Sequence, residues 1–341
     1  MPPSAWVFGL QPRSPLRLGS HAEDLDRARA LAASDTLFGA LCWAMRALFG
    51  TGVLEAWLNE MRSAEPPIRI SSMLPVRWTD GKLAEVFFPL PVRRPVRQFE
   101  DRKFLRPVSF IDRGAYRWLF REGAPSGTPR RAGELLGFGL ETRQEEASWA
   151  VQSRPRVTVD RLSGASALYE SAATHFSLNG DGNRRAGQFV PGVVAWVADE
   201  AALEGLTTCL RLLGEAGIGG ERSSGLGRFE LLGPEACDLP VTPDPAAGPT
   251  LSLCWPTQAD LAAGALQLDP DRGYRVVERG GWISSEEWSG WRSKRVGMLA
   301  EGSYLGGKGP GGGLADVTPE AGRGHPVYRY GLGLFLDEVR L

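Results

Sequence analysis

The stretch Gly217 to Phe229, GIGGERSSGLGRF, concentrates the groups that could hold an anion. Five glycines, Gly217, Gly219, Gly220, Gly225 and Gly227, alternate with Arg222, Ser223, Ser224 and Arg228. A backbone free to adopt positive φ can bring bare N–H groups against a phosphate, while guanidiniums and hydroxyls add charge-assisted and neutral donors. That chemistry is the holding of an anion such as a phosphate backbone, the other reading of a glycine-rich connection being a mobile turn. It is not that of a nucleotide P-loop, because no Gly-Lys-Ser/Thr triplet occurs and the loop follows a helix instead of opening one.

The flanking residues predict the elements that position this loop. Leu203, Leu206, Leu210 and Leu213 recur at helical spacing from Ala201 to Leu213, and Gly214 suits a helix end. Arg228 to Leu232 alternates as a short strand does. Upstream, Ser34 to Phe49 carries Leu37, Phe38, Leu41, Cys42, Met45, Leu48 and Phe49 on one face, with Ser34 expected as the N-cap and Gly50 ending the helix. A second helix is expected over Val53 to Arg62, and strands at Ala5 to Leu10, Ile68 to Leu74, Glu85 to Leu90 and Phe189 to Val197.

The chain has 341 residues, room for about two domains. Its net charge of −1 gives no global attraction to nucleic acid or to an anionic membrane, so any such contact must be local. One local excess stands out: Arg93 to Arg131 holds eleven Lys/Arg against four acids, interleaved with Phe99, Phe104, Phe110, Tyr116, Trp118 and Phe120. Basic residues mixed with aromatics suit single-stranded nucleic acid, the other reading being a solvated charged surface over core aromatics. Arg143 to His175 predicts a long projecting hairpin, with Arg154, Arg156 and Arg161 as possible backbone contacts. Four scattered cysteines without a CxxC pair, no apolar run long enough to span a bilayer and no signal-peptide pattern lead to the expectation of a cytoplasmic protein with reduced thiols.

Without its insertions, the first half approaches β-α-β-β-α-β order, a ferredoxin-like plan. The proline-rich stretch Gly233 to Thr250 looks like a linker. The second half is expected to hold strands near Tyr274 to Glu278, Met298 to Leu305 and Val327 to Leu336, a short helix at Thr257 to Ala263 and a flexible loop, GGKGPGGG, around Lys308. Trp282, Trp288 and Trp291 lie near Arg292, Lys294 and Arg295, placed either for base stacking or for packing.

SDTLFGALCWA, KFLRPVSF, RVTVDRLSGASALY, GIGGERSSGLGRF, MLAEGSYL and HPVYRYGLGLFL, in that order, resemble motifs of the RAMP superfamily of CRISPR proteins. More narrowly, the chain resembles the Cas-five-like subunit-four family of type III-A Csm effector complexes. The resemblance implies an α+β fold of tandem ferredoxin-like (RRM-like) domains with a glycine-rich loop and a protruding hairpin or thumb. The expected domains are 1–235, with a basic insertion at about 91–188, and a degenerate ferredoxin-like domain at 250–341. It further implies a non-catalytic subunit that caps the five-prime, repeat-derived tag of CRISPR RNA. Such a subunit bridges a large cyclase-bearing subunit to a backbone RAMP subunit and meets target RNA near the guide's five-prime end.

The expected RNA-binding residues are His21, Ser34, Arg93, Arg94, Arg154, Arg156, Gly217, Gly219, Gly220, Arg222, Ser223, Ser224, Gly225, Gly227 and Arg228, with the N–H groups of Gly217, Gly219 and Gly220 completing a phosphate cradle. No cofactor, metal or membrane partner is expected. Two alternatives stay open. One is a metal-independent CRISPR RNA-processing endoribonuclease with His21 as base and Arg222 as the leaving-group donor. The other is an interaction protein whose basic insertion binds an acidic partner.

Overall fold

The computed structural model describes residues 4–19, 30–96, 104–121, 125–140, 149–176, 188–267, 270–285, 287–320 and 324–341. The first half opens with β1 (Ser4–Pro12), α1 (Ser34–Phe49), α2 (Thr51–Met61), β2 (Ile68–Ile70), β3 (Leu74–Thr79) and β4 (Lys82–Val86). An insertion follows: β5 (Phe88–Pro89), β6 (Phe110–Ile111), α3 (Arg113–Phe120), β7 (Arg130–Ala132), β8 (Leu135–Gly137), β9 (Trp149–Val159) and β10 (Ser166–Phe176). The half closes with β11 (Gln188–Val197), α4 (Glu200–Ala216) and β12 (Phe229–Ala236).

The main sheet runs β12-β1-β11-β3-β4, with β2 also on β11, and all its pairings are antiparallel. It is covered on both faces, which is why β11 reads as an almost unbroken apolar run. Phe8, Leu10, Val193 and Ala195 point to α1 and α4, meeting Phe38, Leu41, Leu206 and Leu210. Val7, Leu74, Val76 and Val194 point the other way, onto Tyr116 and Leu119 of α3 and onto Leu334 and Leu336 from the chain's end. The strand pair after α2 turns through Thr79, Asp80 and Gly81 as the sequence expects, but its strands lie closer to that turn than Ile68 to Leu74 and Glu85 to Leu90. Asp80 (φ 50) and Gly81 (φ 77) turn the chain between β3 and β4, so the hairpin is centred on Thr79–Lys82 and Ile68–Ile70 forms a separate short strand.

The basic insertion turns most of its aromatics inward. Tyr116, Trp118 and Phe120 of α3 are buried, and α3 is capped by Asp112, whose carboxylate accepts from the Ala115 N–H at 2.6 Å. The expected single-strand platform there is therefore core. β9 and β10 pair over eleven residues in one antiparallel hairpin that leaves the body. Its outer part is exposed up to Leu162 at the tip, which is 100% exposed.

The second half comprises β13 (Val241–Thr242), α5 (Gln258–Ala262), β14 (Val276–Arg279), β15 (Val296–Leu299), β16 (Gly312–Asp316), β17 (Tyr328–Leu332) and β18 (Phe335–Leu336). Its strands pair two by two: β13 with β18, β14 with β15, β16 with β17. The stretch expected as a linker is built into the fold instead: β12 extends to Ala236, Leu239 is buried and β13 pairs with β18. The GGKGPGGG loop is likewise pinned. Arg69 donates to the carbonyls of Pro310, Gly311 and Gly333 at 2.9, 3.1 and 2.7 Å, and Asp260 accepts from the Gly311 and Gly312 N–H groups at 2.8 and 3.0 Å.

Buried charges join the halves. Asp35, in the first turn of α1, accepts from Arg279 Nε and Nη2 at 2.9 and 2.7 Å and from Arg329 Nη1 at 2.6 Å. Glu338 accepts from Tyr116 Oη at 2.6 Å and from Tyr304 Oη, and it pairs with Arg93 at 3.2 Å and Arg272 at 3.0 Å. Among the described residues no helix is long and apolar enough to cross a membrane.

Burial alone would raise the Asp35 pKa, but the hydrogen bonds and charges of Arg279 and Arg329 outweigh it and hold the carboxyl below its ordinary value. A depressed folded-state pKa means the clamp contributes fully above the unfolded carboxylate value, about 4, and is lost as pH falls through the folded value. Removing one partner of a buried pair costs about 3–5 kcal/mol. Asp35→Ala is therefore expected to lower the unfolding free energy, read from urea denaturation at neutral pH, by that order. Its unfolding free energy should fall less steeply below about pH 4 than that of the parent chain.

Candidate nucleic-acid interface

The glycine loop is held on a separate segment of the chain. α4 ends where Gly217 (φ 84) donates to the Leu213 carbonyl at 2.7 Å. Beyond it, Ile218 N–H donates to Gly227 O at 3.0 Å and closes the loop on itself. Gly220 N–H donates to Arg17 O at 2.8 Å, Gly227 N–H to Pro15 O at 2.9 Å, and Arg228 N–H to Ser14 Oγ at 2.9 Å. The loop is thus sewn to residues 14–17, just after β1. Gly219 sits at φ 90 with its α-carbon so near the Arg17 carbonyl that a Cβ would overlap the oxygen. Glycine is needed here for close backbone approach as much as for conformation.

This geometry removes two members of the expected cradle. The N–H groups of Gly217 and Gly220 are spent inside the chain, as are those of Gly225, on Arg222 O at 2.9 Å, and Gly227. Beside them the loop presents side chains. Arg222 to Ser224 form one 3-10 turn between Glu221 and Gly225, both left-handed, and leave Ser223 and Ser224 exposed. The Arg222 guanidinium lies 5.0 Å over the Trp43 ring, and Arg228 is exposed.

A groove of ≈ 540 Å³ opens beside this turn, between α1, the loop and the second half. Asp35, Thr36 and Trp43 line one wall, Arg222 and Gly219 another, and Arg279, Trp282, Ser285, His325, Tyr328 and Arg329 the third. A recess of ≈ 100 Å³ shares Gly19, Thr36, Gly219 and Arg279 with it and adds Arg17 and Gly220. Trp43 is 38% exposed and Trp282 58% exposed, the latter with the Arg292 guanidinium 4.6 Å over its ring. Trp288, by contrast, is buried with its indole N–H on the His325 carbonyl at 2.9 Å. His325 Nε2 lies 3.0 Å from Ser285 Oγ. Open aromatic faces beside guanidiniums, hydroxyls and an imidazole match what single-stranded nucleic acid needs.

The sequence-predicted site residues fare unequally. Arg222, Gly217 and Gly219 reach the groove. Gly220 reaches the recess. Ser34 does not: it is fully buried, the N-cap position falls on Ala33, and the Ser34 hydroxyl accepts from the Leu253 N–H at 3.1 Å, stitching α1 to the second half. Arg93 belongs to the Glu338 cluster and lies over Phe120. Arg156 is paired with Glu221 at 2.9 Å, whereas Arg154 on the same strand and Arg94 are exposed. His21 lies outside the described residues. His175 sits on β10, held below its ordinary pKa by burial and then by the Arg154 charge.

Sequence reasoning missed Trp43, Arg279 and His325. Trp43 carried a signal, since it stands off the apolar stripe of α1, where a tryptophan gains nothing from the core. His325 opens the HPVYRYGLGLFL motif, but its meeting with Ser285 is made only by the fold.

The glycines separate into two kinds that substitution can tell apart. Gly225→Ala meets no atom within 4 Å and should cost only the left-handed backbone penalty, about 1 kcal/mol. Gly219→Ala and Gly227→Ala drive a Cβ into the Arg17 and Ile218 carbonyls and should lower the thermal midpoint distinctly more than Gly225→Ala, read by calorimetry.

Residues 247–337 match the family model described as the CRISPR Csm4 C-terminal domain. A Csm4 protein of Thermococcus onnurineus is 26% identical over 95% of this chain and 93% of its own length. A Csm4 protein of Mycobacterium tuberculosis is 37% identical over 39% of this chain and 42% of its own. The fold is similar to one chain in crystal structures of a Csm1-Csm4 cassette: in complex with cA4, TM-score 0.51 at 19% identity, and in complex with pppApA, TM-score 0.52 at 19% identity. Each comparison covers 98% of this chain and 97% of the other.

Proposed function

We propose, from the premise that this chain is a Csm4-like RAMP protein of type III CRISPR systems, that it is the RNA-anchoring subunit of a Csm complex of type III-A. In this reading it holds the five-prime tag of CRISPR RNA in the groove beside Arg222 and joins a Csm1-type cyclase-bearing subunit to the backbone RAMP subunit. The β9–β10 hairpin serves as a thumb near the start of the guide–target duplex. The observation that carries the reading is the groove itself: Trp43 and Trp282 offer ring faces to bases, and Arg222 offers charge to a phosphate, all beside the glycine loop. The strand order β12-β1-β11-β3, with α1 and α4 on one face, supports a ferredoxin-like domain over 1–235. We read 250–341 as a reduced counterpart that closes the groove.

The chain acts in this reading by holding and orienting, not by cleaving. Bases stack on the two indoles, the guanidinium offsets phosphate charge, and Ser223 and Ser224 are placed for sugar and phosphate oxygens. Incubation of the purified chain with repeat RNA in EDTA should leave the RNA intact.

Two substitutions test the reading by different signatures, each on binding of single-stranded RNA bearing the repeat-derived tag. Arg222→Ala should weaken binding and reduce the slope of log K against log salt by about 0.7 for one lost phosphate contact. Trp282→Ala should cost about 1–3 kcal/mol of binding with the slope unchanged, as loss of stacking does. An unaltered affinity in both variants would refute the groove as the RNA site.

A further inference from the structure

Glu221 is the one carboxylate of the glycine loop, and its partners come from three places in the chain. Its Oε1 receives the Arg17 guanidinium, from the segment after β1, and the Ser171 hydroxyl of β10 at 3.2 Å. Its Oε2 meets Arg156 Nη1 of β9 at 2.9 Å. The hairpin register sets Arg154 opposite Ser171 and Arg156 opposite Tyr169, so Arg156 and Ser171 are diagonal neighbours on one face. That face turns to the loop, while Val157 and its partner Leu168, on the other face, are exposed.

The backbone at Glu221 is itself unusual. It takes φ 57, a left-handed conformation that only Asp80 shares among the described non-glycine residues. In a loop where five neighbouring positions are glycine, a side chain at a left-handed position is retained for what the side chain does. The next residue is Arg222, over Trp43 in the groove. The hairpin, the glycine loop and the groove wall therefore meet within two consecutive residues.

We propose that Glu221 is a positioning residue that fixes the protruding hairpin to the glycine loop, so that thumb and groove present one set geometry to RNA. This rests on the RNA-binding reading of the groove. It also assigns Arg156 a role other than phosphate contact: Arg156 holds the hairpin, and the neighbouring Arg154 is the one left open.

The test uses the full chain and two readouts. Glu221→Gln keeps the side-chain shape and removes the charge, and Glu221→Gly removes the carboxylate in a backbone conformation that glycine prefers. Amide exchange without RNA should quicken about fivefold or more over residues 149–176 in both variants while β1 and β11 keep their protection. Affinity for single-stranded RNA bearing the repeat-derived tag should fall in Glu221→Gln and in Arg156→Ala, and the double variant should be no weaker than Glu221→Gln alone, as expected of two residues in one interaction. Unchanged exchange across the hairpin would overturn the proposal, as would additive losses, which would make Arg156 a direct RNA contact. If the parent chain fails to bind this RNA, the RNA reading falls by itself, and the exchange comparison still decides whether Glu221 holds the hairpin.

Discussion

One carboxylate gathers what the rest of the site depends on. Asp35 stands at the start of α1, fully buried, and takes guanidiniums from β14 and from β17. Two charges brought out of water by separate segments tolerate little displacement, because each shift uncovers an unpaired ion in a low-dielectric interior. Arg279 and Arg329 both line the groove, so the contact that joins the halves also fixes two of its walls against each other. Ser34, one residue earlier, adds a hydrogen bond to Leu253. The groove is thus a property of the interface between halves and belongs to neither alone.

Local patterns were legible in the sequence where one segment decides its own structure. The apolar stripe of Ser34 to Phe49, the leucine spacing before Gly217, the alternation after Arg228 and the long hairpin all appear close to where periodicity puts them. Failures begin where a residue's role is set by a distant partner. Arg93 and Arg156 read as free cations within a basic stretch, yet their acids, Glu338 and Glu221, lie 245 and 65 positions away. Ser34 read as an N-cap because local rules say so, and tertiary structure took its hydroxyl for Leu253. The glycines were rightly marked as requiring special backbone, but spacing cannot tell whether a bare N–H faces a ligand or, as with Gly220 and Gly227, another segment of the same chain.

The second half shows the same limit at the scale of a domain. Its strands are mostly where alternation suggests, but they pair two by two and lean on the first half for their core: Tyr330 and Leu332 pack with α1, and Leu334 and Leu336 pack behind the main sheet. Periodicity reports that a strand exists. It does not report whose core the strand completes.

Arg69 has a consequence for how the molecule is made. Its guanidinium is met by three carbonyl oxygens from residues 310, 311 and 333, so backbone dipoles solvate a buried cation in place of water. During synthesis residue 69 leaves the ribosome some 240 residues before the first of them. Asp35 likewise meets its two guanidiniums only from residues 279 and 329. Both charges therefore trade water for protein partners only once residues beyond 278 are in place, so the cleft cannot close on the first half alone.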